Sequence, residues 1–147
     1  MIRANAQRWN DLLAHPAARE RPSEDVWSAL EYGCHVRDVF ELYDARLQMM
    51  LSQVEPAYPN WDQNATAVEK AYSDEDTARV AAEIAAAAAA LAERFDSVAG
   101  EQWNRTGARS DGARFTIESF ARYLIHDPVH HVNDVEKGYA SLEAGPH

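Results

Sequence analysis

The sequence predicts an all-α protein built as a four-helix bundle. Three observations lead there. Proline and glycine are concentrated between a few long segments, those segments repeat apolar residues at helical spacing, and no run alternates in the manner of a strand. The chain has 147 residues, enough for one domain with a core and too few for two comfortable ones. We therefore read 1–147 as one domain.

The first helix is expected from Ile2 to about Ala18, with Trp9, Leu12 and Leu13 at helical spacing and Pro16 near its end. In "RPSEDVW", Ser23 suits an N-cap, and Glu24 and Asp25 suit the positive end of a helix dipole. The second helix then runs to about Ser52. Pro56 and Pro59 punctuate a long loop whose Trp61 and Asp62 are placed either to cover a site or to anchor the loop. The third long helix begins near Ser73, with Asp76 three residues on as a capping-box partner, and stops before Gly100. Its stripe is Val80, Ile84, Leu91, Phe95 and Val98, and the alanines at 85–90 sit where helices approach closely. "NRTGARSDGAR" reads as a turn or small hairpin. Thr116 caps a last helix from Ile117 to about Lys137, and Gly145 and Pro146 belong to a tail.

Charge narrows the function. Fourteen basic against 24 acidic residues leave a formal charge of −10, which argues against binding nucleic acid or anionic lipid. A single cysteine, Cys34, forbids an intrachain disulfide and fits a reducing compartment. The N-terminus lacks an apolar signal-peptide core, and no apolar run is long enough to span a membrane. These features lead us to expect a cytoplasmic protein.

The chemistry concentrates in "RYLIHDPVHHVNDV", 122–135. A helix turns about 100° per residue, so directions follow from position. With Leu124 at zero, Ile117, Phe120, Ala121, Val135 and Tyr139 form the core stripe. His131 falls about 20° from Leu124 and Asp127 about 60° away, at the edge of the stripe. His126 turns about 160° away and His130 about 120°. Pro128 removes a backbone hydrogen bond and favours a kink. In the second helix, Tyr32, Val36, Val39, Leu42, Tyr43, Leu47 and Met50 share one face, and Arg37, Glu41 and Asp44 the opposite one. His35 points inward about 50° from the apolar centre, and Cys34 turns away to pack against the first helix. His35, Asp127 and His131 would make a two-histidine, one-carboxylate site for Zn²⁺, Fe²⁺ or Ni²⁺ with positions left open. The competing reading is a buried ion pair of Asp127 with either histidine. The alternative ligand set, if the helical phase slips, is His35, His126 and His130.

"EYGCHVRDV" in the second helix and "RSDGARFTIESFARYLIHDPVHHVNDV" towards the C-terminus resemble the DinB-like superfamily of four-helix metal-binding proteins. That family includes mycothiol-dependent maleylpyruvate isomerase and bacillithiol S-transferases. Its members carry a final ligand in an H-x-x-x-[IV] context, here His131 to Val135, with another ligand four residues earlier. That earlier residue is usually His; the isomerase has Glu and this chain has Asp127. The resemblance implies a divalent metal, zinc first, and a low-molecular-weight thiol such as mycothiol as cofactor or substrate. It implies a thiol-dependent S-transferase or isomerase acting on a small molecule. Other members resemble metal-dependent hydrolases, and a non-enzymatic, stress-related bundle is a third reading. Arg105, Arg109 and Arg114 would hold a carboxylate-bearing thiol or substrate, or are plain surface charge. Glu31, one turn before His35, would orient that imidazole, or is an exposed helix charge. The apolar helix faces also suit a homodimer.

Overall fold

A computed structural model describes residues 1–144. The helices are α1 (Ile2–Leu13), α2 (Ala29–Ser52), α3 (Gln63–Glu69), α4 (Thr77–Asp96), α5 (Ile117–Leu124) and α6 (His126–Glu143). The bundle is made by α1, α2, α4 and the α5–α6 pair. The fold is mostly helical, but a three-stranded sheet joins it, so the all-α reading is only approximate. β1 (Ala57–Tyr58) runs parallel to β2 (Thr106–Arg109), and β2 is antiparallel to β3 (Arg114–Thr116). The expected hairpin at "NRTGARSDGAR" is β2–β3, with Gly112 at φ 91° in its turn. The strand β1 escaped sequence reading because two residues show no alternation.

Several boundaries shift for local reasons. α1 ends at Leu13, five residues before the expected Ala18. The N-cap of α2 is Ser28, not Ser23; its side chain accepts from the Glu31 amide while the Glu31 carboxylate accepts from the Ser28 amide. Asp76, expected as the partner of a Ser73 cap, is itself the N-cap of α4, accepting from the Arg79 amide. α4 ends at Asp96, four residues before Gly100, whose φ of 57° serves the next short 3₁₀ turn instead. In the alanine run only Ala88 is in the core; Ala85, Ala86 and Ala90 are exposed. The expected tail at Gly145 and Pro146 lies outside the described residues.

The last helix is two. Thr116 caps α5 as expected, through the Ser119 amide. The chain then breaks at Ile125, and α6 starts at His126. Pro128 falls in the first turn of α6, where its missing N–H has no intrahelical partner to lose. The break preserves the phase. Ile117, Phe120 and Leu124 before it, and Pro128, Val135 and Tyr139 after it, are all buried.

α2 is the axis of the fold. From Ala29 to Phe40 only Tyr32 is not fully buried. On the face opposite the apolar one, Arg37 is buried while Glu41 is exposed. Arg37 donates to Asp38 at 3.0 Å, to Glu75 at 2.9 Å and to Glu83 at 3.3 Å. Tyr72 donates its hydroxyl to Asp38, and Lys70 reaches Asp38 at 3.1 Å. Burial alone would raise the Glu75 carboxyl, but the hydrogen bonds from Arg37 hold it below its ordinary value. Cys34 is also buried, its sulfur 3.8 Å from the Tyr72 carbonyl oxygen, and burial first of all pushes its thiol far up. That makes it inert.

Two outcomes follow. A group with a depressed folded pKa contributes stability above its unfolded value of 4.5 and loses it as pH falls. Stability should therefore drop between about pH 5 and pH 3, and Glu75→Gln should lower stability at neutral pH while flattening that slope. Thermal melts across pH check this. At Gly138 a Cβ would stand 2.8 Å from Pro22 Cγ. Gly138→Ala should thus destabilise by about 1–3 kcal/mol in urea unfolding, despite alanine's better helix propensity.

Candidate metal centre

α2 and α6 bring three side chains to one point. His35 lies on the buried stretch of α2 and is 1% exposed. Asp127 occupies the first turn of α6, and His131 stands one turn later on the same face. His35 Nε2 is 2.8 Å from Asp127 Oδ2, and His131 Nε2 is 3.2 Å from Asp127 Oδ1. One ligand atom from each residue lies within 4.8 Å of the other two. Among the described residues this is the one such group found. His126 and His130 are exposed and stand outside it, so the alternative set His35, His126 and His130 is not assembled.

The rings are held from behind. His131 Nδ1 meets Asp134 Oδ2 at 2.9 Å, one turn further along α6. Trp61 stacks on His35 with centroids 5.3 Å apart and planes 2° apart, and Trp27 leans on it at 5.7 Å. Tyr32 packs against His131 at 4.9 Å. His35 Nδ1 is buried with no hydrogen-bond partner. Glu31, expected to orient that nitrogen, is committed elsewhere. It caps α2 and takes two bonds from Arg21, at 2.8 and 2.6 Å.

The electrostatics centre on Asp127. Burial would raise its carboxyl, but hydrogen bonds and charge from His131 and His35 hold it well below the usual carboxylate range. Burial would lower His131, yet the bond to Asp127 and the contact with Asp134 raise it. The donor count explains why. With its Nδ1 proton directed at Asp134, a neutral His131 turns a lone pair on Nε2 towards the Asp127 oxygen. Two acceptors at that distance need a cation between them, either a proton or a metal ion. The donor set fits a divalent ion of the zinc class: two imidazole nitrogens and one carboxylate, with a carboxylate bonded behind one imidazole.

A cleft of about 520 Å³ opens beside the centre, with His35 and Asp127 on its wall. Trp61, Tyr43, Tyr123 and Arg109 also line it, as do the exposed His126 and His130. Trp61 comes from the long loop, whose Asp62 turns out to be structural, capping α3 through the Asn64 and Ala65 amides. Of the three arginines expected near the site, only Arg109 lines the cleft. Arg105 donates to the Gln53 carbonyl and Arg114 to Glu55, both away from it. Sequence reading missed Asp134, although it stands three residues after His131, on the same side of the helix. It also missed Trp27 and Tyr43, which carried no signal beyond apolar spacing.

No curated protein matches the sequence. Among solved structures the fold is similar to YfiT from Bacillus subtilis, a probable metal-dependent hydrolase with an unusual four-helix bundle topology. The TM-score is 0.77 at 15% identity, over 95% of this chain and 86% of that one. The model of the DinB superfamily matches residues 2–135. That match takes in all three converging side chains and nearly the whole bundle, and the chain belongs to the DinB superfamily.

Proposed function

We propose that this chain is a metal-dependent enzyme acting on a small molecule, its divalent ion held by His35, Asp127 and His131. One observation carries the reading. Two imidazoles and a carboxylate converge beside an open cleft whose wall includes His35 and Asp127, with His131 already oriented by Asp134 for ligation through Nε2. Zinc suits the donor set best, with iron or nickel also compatible. When bound, such an ion lowers the pKa of a water or thiol and so supplies a nucleophile near neutral pH.

The chain's own residues perform the rest. Asp134 accepts the Nδ1 proton of His131 and so selects its tautomer. Trp61 and Trp27 hold the His35 ring and shield it from water. Tyr43, pushed up to about 12 mainly by burial, remains a neutral hydroxyl on the cleft wall and can donate to a substrate.

Family membership supports a low-molecular-weight thiol, such as mycothiol, as the activated group, in an S-transferase or isomerase reaction. The fold likeness to YfiT favours a second reading, a hydrolase in which water takes that place. Turnover by the metal-loaded protein separates the two: thiol-dependent for the first, thiol-independent for the second.

Elemental analysis should find about one zinc per chain after reconstitution. His35→Ala and His131→Ala should take up none, whereas His126→Ala and His130→Ala should bind as wild type. Loss of metal in His130→Ala alone would overturn the ligand assignment. Zinc at a hundredfold excess over Kd should stabilise the wild type by about 2.7 kcal/mol and leave His131→Ala unchanged. Asp134→Asn should keep the stoichiometry but lower zinc affinity about 10–100-fold, read by competition with a chelator.

A further inference from the structure

The cleft wall holds an arginine whose charge has no acidic partner. Arg46, on α2 about three turns after His35, is 5% exposed. Its Nη2 donates to the Pro59 carbonyl at 2.7 Å, and its Nε is buried without any partner. The guanidinium lies 4.5 Å from the Tyr58 ring centre and 5.6 Å from that of Tyr43. Its charged neighbour is another cation, Arg109, which lines the same cleft. Burial and that repulsion both lower its pKa, and the surrounding tyrosines offset this only in part.

Arg109 differs. It is paired with Asp111 at 3.0 Å and lies over Phe115 and Tyr123. So the wall carries two cations, Arg46 and Arg109, and two anions, Asp111 and Asp127. Asp127 is spoken for by the histidines and Asp111 by Arg109. Arg46 alone is left uncompensated. A buried charge of that kind is costly unless something completes it. The aromatic faces and one carbonyl meet part of its need, and the residue lines the cleft.

We propose that the cleft recognises an organic acid, with a substrate carboxylate received by Arg46 and the rest of the molecule directed to the metal corner. A guanidinium presents a planar fork that matches a carboxylate. A phosphate dianion fits less well, because Asp111 and Asp127 share the wall and no lysine or third arginine lines it. The protein's overall charge of −10 repels anions, so binding one depends on this local cation. The inference deepens the enzymatic reading by naming the substrate class, yet the Arg46 contact itself does not require the metal.

The test compares succinate with succinamide, and with inorganic phosphate, on metal-free and zinc-reconstituted protein. Binding is followed by shifts of the Arg46 Nε–H and Trp61 indole resonances. Wild type should prefer succinate to succinamide about tenfold or more even without metal, a difference of about 1.4 kcal/mol. Phosphate should bind more weakly than succinate. Arg46→Met should erase the preference and Arg46→Lys should retain part of it, each checked for native circular dichroism. Arg109→Gln should preserve most of it. Equal binding of succinate and succinamide by wild type, tighter binding of phosphate, or a preference surviving in folded Arg46→Met would each overturn the proposal. Zinc content is measured on the same samples. Succinate preference without zinc uptake would sustain this inference while sinking the metal reading, and zinc uptake without preference would do the reverse.

Discussion

Much of this structure follows from burying nearly the whole circumference of the first half of one helix, α2 from Ala29 to Phe40. α2 packs against α1, α4, α6 and the loop carrying Trp61, and from Ala29 to Phe40 its polar residues are cut off from bulk water. Each needs a partner inside the protein, because an unmatched buried polar group costs several kcal/mol and a charge more (order of magnitude). Glu31 takes Arg21; Arg37 takes Asp38, Glu75 and Glu83; His35 takes Asp127. Apart from Asp38, the neighbour of Arg37, these partners come from other segments of the chain. The pairing of α2 therefore determines how the other elements are oriented around it.

The candidate centre is a special case of the same constraint. Where Arg37 meets three acids, His35 has one, Asp127, and shares it with His131, which Asp134 also bonds. The corner is exposed to a cleft on one side and closed by tryptophan on the other. Arg46 is the complementary case, a cation short of negative charge on the same wall. One cleft thus offers a place for a cation and a place for an anion, both set by α2.

The histidine phase shows how far helical geometry reaches. An angle of about 20° for His131 and 60° for Asp127 placed both towards the core, and 120–160° placed His130 and His126 outside. The structure has the same sorting. It holds because the break at Ile125 falls between two helices whose buried faces remain in line, and because Pro128 sits in a first turn that needs no amide there. Phase could not rank Arg105, Arg109 and Arg114. They lie on a hairpin, where strand pairing with β1 decides which side chain faces the cleft.

Sequence alone determined the helical class, the order of the long helices, the apolar stripes and the inward side chains of α2 and α6. Those depend on local periodicity, which is written in residue spacing. Tertiary structure decided the small sheet, the burial of Arg37 and Arg46, the diversion of Glu31 to Arg21, and the meeting of His35 with Asp127. These depend on partners 10 to 92 residues away along the chain, and one helix's periodicity carries no information about which partner arrives.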